Sequence, residues 1–202
     1  MSLRRISIVA AVLALTAAIS ASAASAQATS YSGQARPLSV SAFGVGASVG
    51  DTGPLPSSGG SQTAALTNLN VLGLVSVGLL EGTTSGSGDK STSSASLVSV
   101  SIPTIGLSVD VVKSQTTAQC NGATPSVSGS ADLVNVTLLG MPIAVPMPNV
   151  SITAPGGISV ILNEKTSSIN GSQGSITVNA VHVTGPGTDI VIASAESDIN
   201  CA

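Results

Sequence analysis

Ser94-Ala95-Ser96-Leu97-Val98-Ser99-Val100-Ser101-Ile102 alternates small polar residues with aliphatic ones, and Ser130-Ala131-Asp132-Leu133-Val134-Asn135-Val136-Thr137-Leu138 follows the same plan. Alternation with a period of two marks a strand with one buried and one wet face. Ahead of each lies a second matched segment, Ser76-Val77-Gly78-Leu79-Leu80-Glu81 and Ser108-Val109-Asp110-Val111-Val112-Lys113. Ser159-Val160-Ile161-Leu162-Asn163-Glu164 is a third version. Each of these runs into a Ser/Thr tract, at Thr83-Thr84-Ser85, Thr116-Thr117 and Thr166-Ser167-Ser168. A turn signal closes each, at Gly86-Ser87-Gly88-Asp89, Asn121-Gly122 and Asn170-Gly171. The unit is a long β-hairpin used three times, with Asn-Gly expected to supply the positive φ of the tight turns.

Further alternation covers Leu38–Phe43, Ile176–Val183 and Asp189–Ala195. Only Gln62–Asn70 admits a short helical turn. The repeat spacing of 32 to 51 residues is too irregular for a solenoid or propeller. The expected fold is all-β, an antiparallel sandwich or a flattened barrel built from repeated hairpins, in a single domain over 27–202. A membrane barrel would carry aromatic girdles, and the chain has one Tyr, one Phe and no Trp.

Composition narrows the function. Of 202 residues, 43% are hydrophobic and only 7% charged. Two aromatics give no stacking platform for bases, and six basic residues give no surface for phosphates, so nucleic acid is excluded as a partner. One histidine excludes a multi-histidine metal site.

The first residues read as an address. Arg4 and Arg5 precede an apolar run, Ile6–Ile19, followed by the small residues Ser20–Ala28. That order is a secretory signal, and its A-x-A frames place the cut between Ala26 and Gln27, with Ala23 and Ala28 as neighbouring options. Residues 1–26 are therefore assigned as signal peptide. Their removal leaves four basic residues against nine acids, a net charge of −5. Val71–Leu80 and Leu138–Pro148 are too short or too proline-rich to span a bilayer, so no membrane span is expected in the mature chain.

Export permits a disulfide, and the two cysteines, Cys120 and Cys201, are expected to form it. Closing a loop of about 80 residues is worth roughly 4–5 kcal/mol in the chain-entropy model.

Several motifs look chemical. Gly46-Ala47-Ser48-Val49-Gly50 fits G-x-S-x-G, but a nucleophile elbow needs a following helix, and Asp51-Thr52-Gly53-Pro54 reads as a turn. Asp51-Thr52-Gly53 has no second copy to share a proton with. Glu164, Asp189, Glu196 and Asp198 could supply a glycosidase pair, yet no aromatic sugar platform accompanies them. His182 lies inside an apolar run, which favours a half-buried strand position over a base. No catalytic residue, cofactor site or metal site is assigned.

The order of Tyr31-Ser32-Gly33-Gln34-Ala35, Gly53-Pro54-Leu55-Pro56-Ser57-Ser58-Gly59-Gly60, Cys120-Asn121-Gly122, Pro148-Asn149-Val150, Leu162-Asn163-Glu164-Lys165 and Asp198-Ile199-Asn200-Cys201 resembles the bacterial choice-of-anchor P family of exported proteins. The resemblance covers roughly residues 30–201. It implies a surface domain that different proteins tether by different C-terminal signals, and it implies no activity. No anchor follows Cys201, so release or non-covalent retention at the envelope is expected here. The leading expectation is a secreted or envelope-associated, non-enzymatic β domain with a structural or adhesive role. Its partner is unknown, with an envelope component or self-association through sheet edges as the options. The rivals are a binding module for glycan or another polymer, which would align Thr83, Thr84, Thr116, Thr117 and Thr166 on one exposed face, and a secreted hydrolase using Ser48 or a carboxylate pair.

Overall fold

The computed structural model describes residues 27–71 and 73–202. The assigned signal peptide, with Ala26, lies outside the described residues. In chain order the strands are β1 (Ala28–Ala42), β2 (Val45–Val49), β3 (Gly60–Val71), β4 (Val75–Ser87), β5 (Lys90–Ile102), β6 (Leu107–Asn121) and β7 (Thr124–Val134). They continue as β8 (Thr137–Leu138), β9 (Met141–Pro142), β10 (Val150–Ala154), β11 (Ile158–Asn170), β12 (Gln173–Gly185) and β13 (Thr188–Cys201). One 3-10 turn, Pro103–Ile105, joins β5 to β6.

Two antiparallel sheets result. The first runs β10-β11-β12-β13-β1-β2, and the second β3-β4-β5-β6 with β7 and the short β8-β9 pair beyond β6. Both keep free edges, so the fold is a sandwich and the barrel alternative falls. The three expected hairpins are β4–β5, β6–β7 and β11–β12, each with a two-residue turn. The turn chemistry differs from expectation. Asn121 and Asn170 are the last strand residues, and the positive φ belongs to Gly88 (60°), Gly122 (65°) and Gly171 (59°) at the first turn position. Glycine there alone is the type II′ pattern.

Two other expectations are corrected. Gln62–Asn70 is strand β3, because pairing to β4 over its whole length overrides a weak local preference. Val134–Leu138 is not one strand. Asn135 takes φ 53° and splits it into β7 and β8.

That residue belongs to a larger feature. In β5, Ser91, Ser93, Ala95 and Leu97 face inward, then Val100 and Ile102 do. The phase of alternation slips at Ser99, which sits at φ 57°. Its neighbours slip in the same row: β4 between Val77 and Leu80, and β6 between Val109 and Val112. Asn68 at φ 52° and Asn135 extend the row to both flanks. The first sheet repeats the device at Asn163 (54°) and Ala193 (52°), with Ala180 between them and Pro37 beyond. A left-handed residue on every second strand thus turns over each sheet's inward face without breaking the ladder register.

The row separates two kinds of interior. Toward the Pro103–Ile105 turn the core is Leu38, Val40, Val75, Val100, Ile102, Val109, Val160, Val183, Ile190 and Ile192, all buried. On the other side the buried Leu80, Leu97, Val112, Ile176 and Val178 share the interior with glycine, alanine and hydroxyls. A Cβ on Gly33 would stand 3.1 Å from both Ser93 Oγ and Thr84 Oγ1, and one on Gly82 3.3 Å from the Ala35 Cβ, so the layers lie close together there. Hydroxyls bridge the gap. Thr116 Oγ1 and Ser197 Oγ share a hydrogen bond of 2.8 Å, and Ser93 Oγ, which lies 2.8 Å from Thr84 Oγ1 in its own sheet, donates across to the Glu196 carbonyl at 2.5 Å. The Cys120–Cys201 disulfide closes this end by joining β6 to β13 across the layers, with Cα atoms 5.5 Å apart. Ala28, Ala118, Ile199 and part of Tyr31 pack around it.

Replacing both cysteines by serine is expected to lower unfolding free energy by about 4 kcal/mol in denaturant titration, since 81 residues of loop are released. The buried Ser114 hydroxyl has no partner among the described residues. Ser114→Ala is therefore expected to be neutral or to stabilise by about 1 kcal/mol, while Thr116→Val, which strands the Ser197 hydroxyl, destabilises by about 1–3 kcal/mol.

Candidate functional site

Six ionisable side chains, Arg36, Glu164, His182, Asp189, Glu196 and Asp198, lie on the outer face of the first sheet. Residues 182 on β12, 191 on β13, 39 on β1 and 48 on β2 form one register row. His182 is held on both sides by carboxylates: Nδ1 lies 2.9 Å from Glu164 Oε2, and Nε2 3.4 Å from Asp189 Oδ2. Asn179 Nδ2 also donates to Glu164 Oε2, at 2.7 Å. Both ring nitrogens face acids, and among the described residues no hydroxyl is paired with the imidazole. Ser48 stands three strands away in the row, roughly 14 Å at ordinary strand spacing. Its hydroxyl donates to Asp51 Oδ2 at 3.2 Å instead. The serine and histidine are thus not brought together, and no helix follows Gly50.

Asp51-Thr52-Gly53 is a brace between the end of β2 and the middle of β1. Asp51 Oδ1 accepts from Gln34 Nε2 at 2.6 Å and from the Gly53 amide at 2.8 Å. Thr52 Oγ1 accepts from the Ala35 amide at 3.1 Å, and Arg36 Nε lies 3.6 Å from Asp51 Oδ2. A side chain that bonds its own backbone two residues on is an Asx-turn. Among the described residues no group of three His, Cys, Asp or Glu side chains is placed to hold a metal ion.

A polar hollow of about 370 Å³ lies on the same sheet near the disulfide. Strands β1, β13, β12 and β11 contribute to it in paired rows: Ser32, Asp198, Ser175 and Ser168 in one, Ser30, Asn200, Gln173 and Asn170 in the next. Serine hydroxyls and carboxamides can each donate and accept, so the lining meets a hydroxyl-rich ligand in either sense. Asp198 is the carboxyl of this lining. Burial, then the neighbouring Glu196 charge and a hydrogen bond to it, push its carboxyl up from 3.8 to about 6. Glu196 precedes it by two residues on the same face, about 7 Å along the strand.

The outer face of the second sheet is different. Its rows are Ser61, Ser85, Thr92, Thr117 and Ser128, then Thr63, Thr83, Ser94, Gln115 and Ser130. The five threonines that a ladder-type polymer-binding face would align are scattered. Thr83 and Thr117 face out here, Thr84 and Thr116 are buried between the layers, and Thr166 is on the first sheet. At the crossing row Leu79, Val98, Val111 and Val134 form an exposed aliphatic stripe.

No family model matches the chain, and neither the curated proteins nor the solved structures compared with it give a match. The acids Glu196 and Asp198 were visible as candidates in the sequence. Asn170, Gln173, Ser175 and Asn200 were not, because polar residues at alternate strand positions signal only a wet face until strand neighbours are known.

A carboxyl whose folded pKa lies above its unfolded value stabilises below the unfolded value and loses that contribution as pH rises through the folded one. Asp198 should therefore favour the fold at pH 4 and oppose it above pH 6. Asp198→Asn is expected to raise Tm at pH 7.5 on the order of 1–3 °C and to leave it unchanged at pH 4, by differential scanning calorimetry.

Proposed function

We propose that the chain is a secreted or envelope-associated, non-enzymatic β domain with a structural and adhesive role, and that the polar hollow beside the disulfide is its adhesive surface. The observation that carries this reading is the paired rows of serine, asparagine and glutamine on four adjacent strands, with one carboxyl among them. Such a surface suits a neutral, hydroxyl-rich polymer such as a glycan, where many shared hydrogen bonds replace water. The strands that hold it are fastened by the Cys120–Cys201 bridge, which fits an oxidising compartment.

The resemblance to the choice-of-anchor P proteins supports a place at the cell surface. The signal-like residues 1–26 support export, and β1 begins at Ala28, directly after the assigned mature residue Gln27. A non-enzymatic role is supported by the separation of Ser48 from His182 and by the enclosure of His182 between Glu164 and Asp189.

Insoluble peptidoglycan, chitin and cellulose, each incubated with the disulfide-bonded protein, test this reading. Retention on at least one is expected, and Asn170→Ala with Gln173→Ala, both exposed beside the Gly171 turn, should reduce it at least fivefold. No retention on any, or release of soluble sugar from them, would contradict the proposal.

A further inference from the structure

The sandwich has an apolar recess at its other end, among the turns away from the disulfide. Its walls are Ile102, Ile105, Ile158, Val183 and Ile190, and Phe43 stands at its rim. Ile102, Ile105, Val183 and Ile190 are themselves buried, so the recess has an aliphatic floor continuous with the core. Its volume is about 320 Å³, within the range of small-molecule sites. Among the described residues no charged one lines it, and its polar side chains are those of Thr104 and Thr188. An ion or a polar head placed there would lose water without gaining partners.

Phe43 supplies an independent observation. It is the only phenylalanine of the chain, yet it is 82% exposed. Phe43 and Gly44 form the β1–β2 turn with φ of 50° and 83°. Both values are positive, the type I′ pattern that favours asparagine and glycine. A bulky residue there costs about 1–2 kcal/mol. Its amide donates to the Gly187 carbonyl at 2.8 Å. A Cβ on Gly187 would sit 3.6 Å from the ring, so the ring leans across the Pro186–Gly187 turn that borders the recess. The fold gains nothing from a phenyl group in this place that asparagine would not give at lower cost. The turns of this end, Phe43–Gly44, Pro103–Gly106, Leu139–Gly140 and Pro186–Gly187, hold no charge, and Leu139 and Met141 are 55% and 62% exposed.

We propose that this recess binds a hydrocarbon chain, the alkyl or acyl part of an amphiphile, with Phe43 closing over it and the polar head left in solvent. An opening between two sheets at a sandwich end is a slot. An alkyl chain fills a slot without the fixed polar contacts that orient other small ligands. This site is separate from the polar hollow and does not rest on the adhesive reading.

The test is methyl NMR of the disulfide-bonded protein titrated with 1-octanol. Saturable shifts are expected at the δ1 methyls of Ile102, Ile105, Ile158 and Ile190, with none at Ile176 and Ile199 in the disulfide half. Phe43→Asn, which suits the turn and preserves the fold, should raise Kd at least fivefold while leaving Ile176 and Ile199 unmoved. No saturable shift, equal shifts at all six isoleucines, or unchanged affinity in Phe43→Asn would overturn the proposal. Neutral phosphatidylcholine vesicles then separate the sources of the chain. Phe43-dependent co-sedimentation supports a bilayer lipid, and saturation by octanol without co-sedimentation supports a free amphiphile.

Discussion

Each sheet turns over its inward face along one row, and everything on either side must agree with that row. A slip of one residue moves a whole strand segment from core to solvent. Here the slip occurs in neighbouring strands together, so the backbone ladder continues while the side chains exchange faces. Alternate strands supply the left-handed residues, Asn68, Ser99 and Asn135 in one sheet and Asn163 and Ala193 in the other. Asparagine tolerates that conformation better than other residues with a Cβ. Were one strand to lack the reversal, its aliphatic residues beyond the row would point into water.

The row also divides the labour of the interior. On one side, small residues and hydroxyls let the layers approach closely, and hydrogen bonds with a disulfide hold them. On the other, branched aliphatic side chains separate the layers and leave a recess where the turns fail to cover them. The two ends therefore present different chemistry: hydroxyls, amides and a carboxyl beside the disulfide, hydrocarbon among the turns. With few charges, the molecule distinguishes its surfaces by hydrogen-bonding capacity more than by electrostatics.

Much of this was legible in the residues. Three hairpins follow from matched segments that end in Gly-containing turns, and the disulfide from the even cysteine count with the export expected of a signal-like leader. The reversal was not. Leu97-Val98-Ser99-Val100 reads as continuous alternation, and only the spacing of three between buried Leu97 and Val100 betrays the slip. Gln62–Asn70 lacks β-branched residues apart from Thr63 and Thr67, so pairing with β4, not local preference, makes it a strand. The polar hollow was hidden because its residues come from four strands up to 170 positions apart, Ser30 facing Asn200. Phe43 was read as the last residue of the alternating segment Leu38–Phe43, since an exposed phenylalanine in a left-handed turn runs against propensity and burial alike.

The most direct test of this account is the backbone φ of Asn68, Ser99, Asn135, Asn163 and Ala193 in solution, from amide–Hα couplings and backbone chemical shifts. The account predicts positive φ at all five, each flanked by extended residues. Extended values at Ser99 and Ala193, with unbroken alternation of buried methyls along β5 and β13, would contradict it.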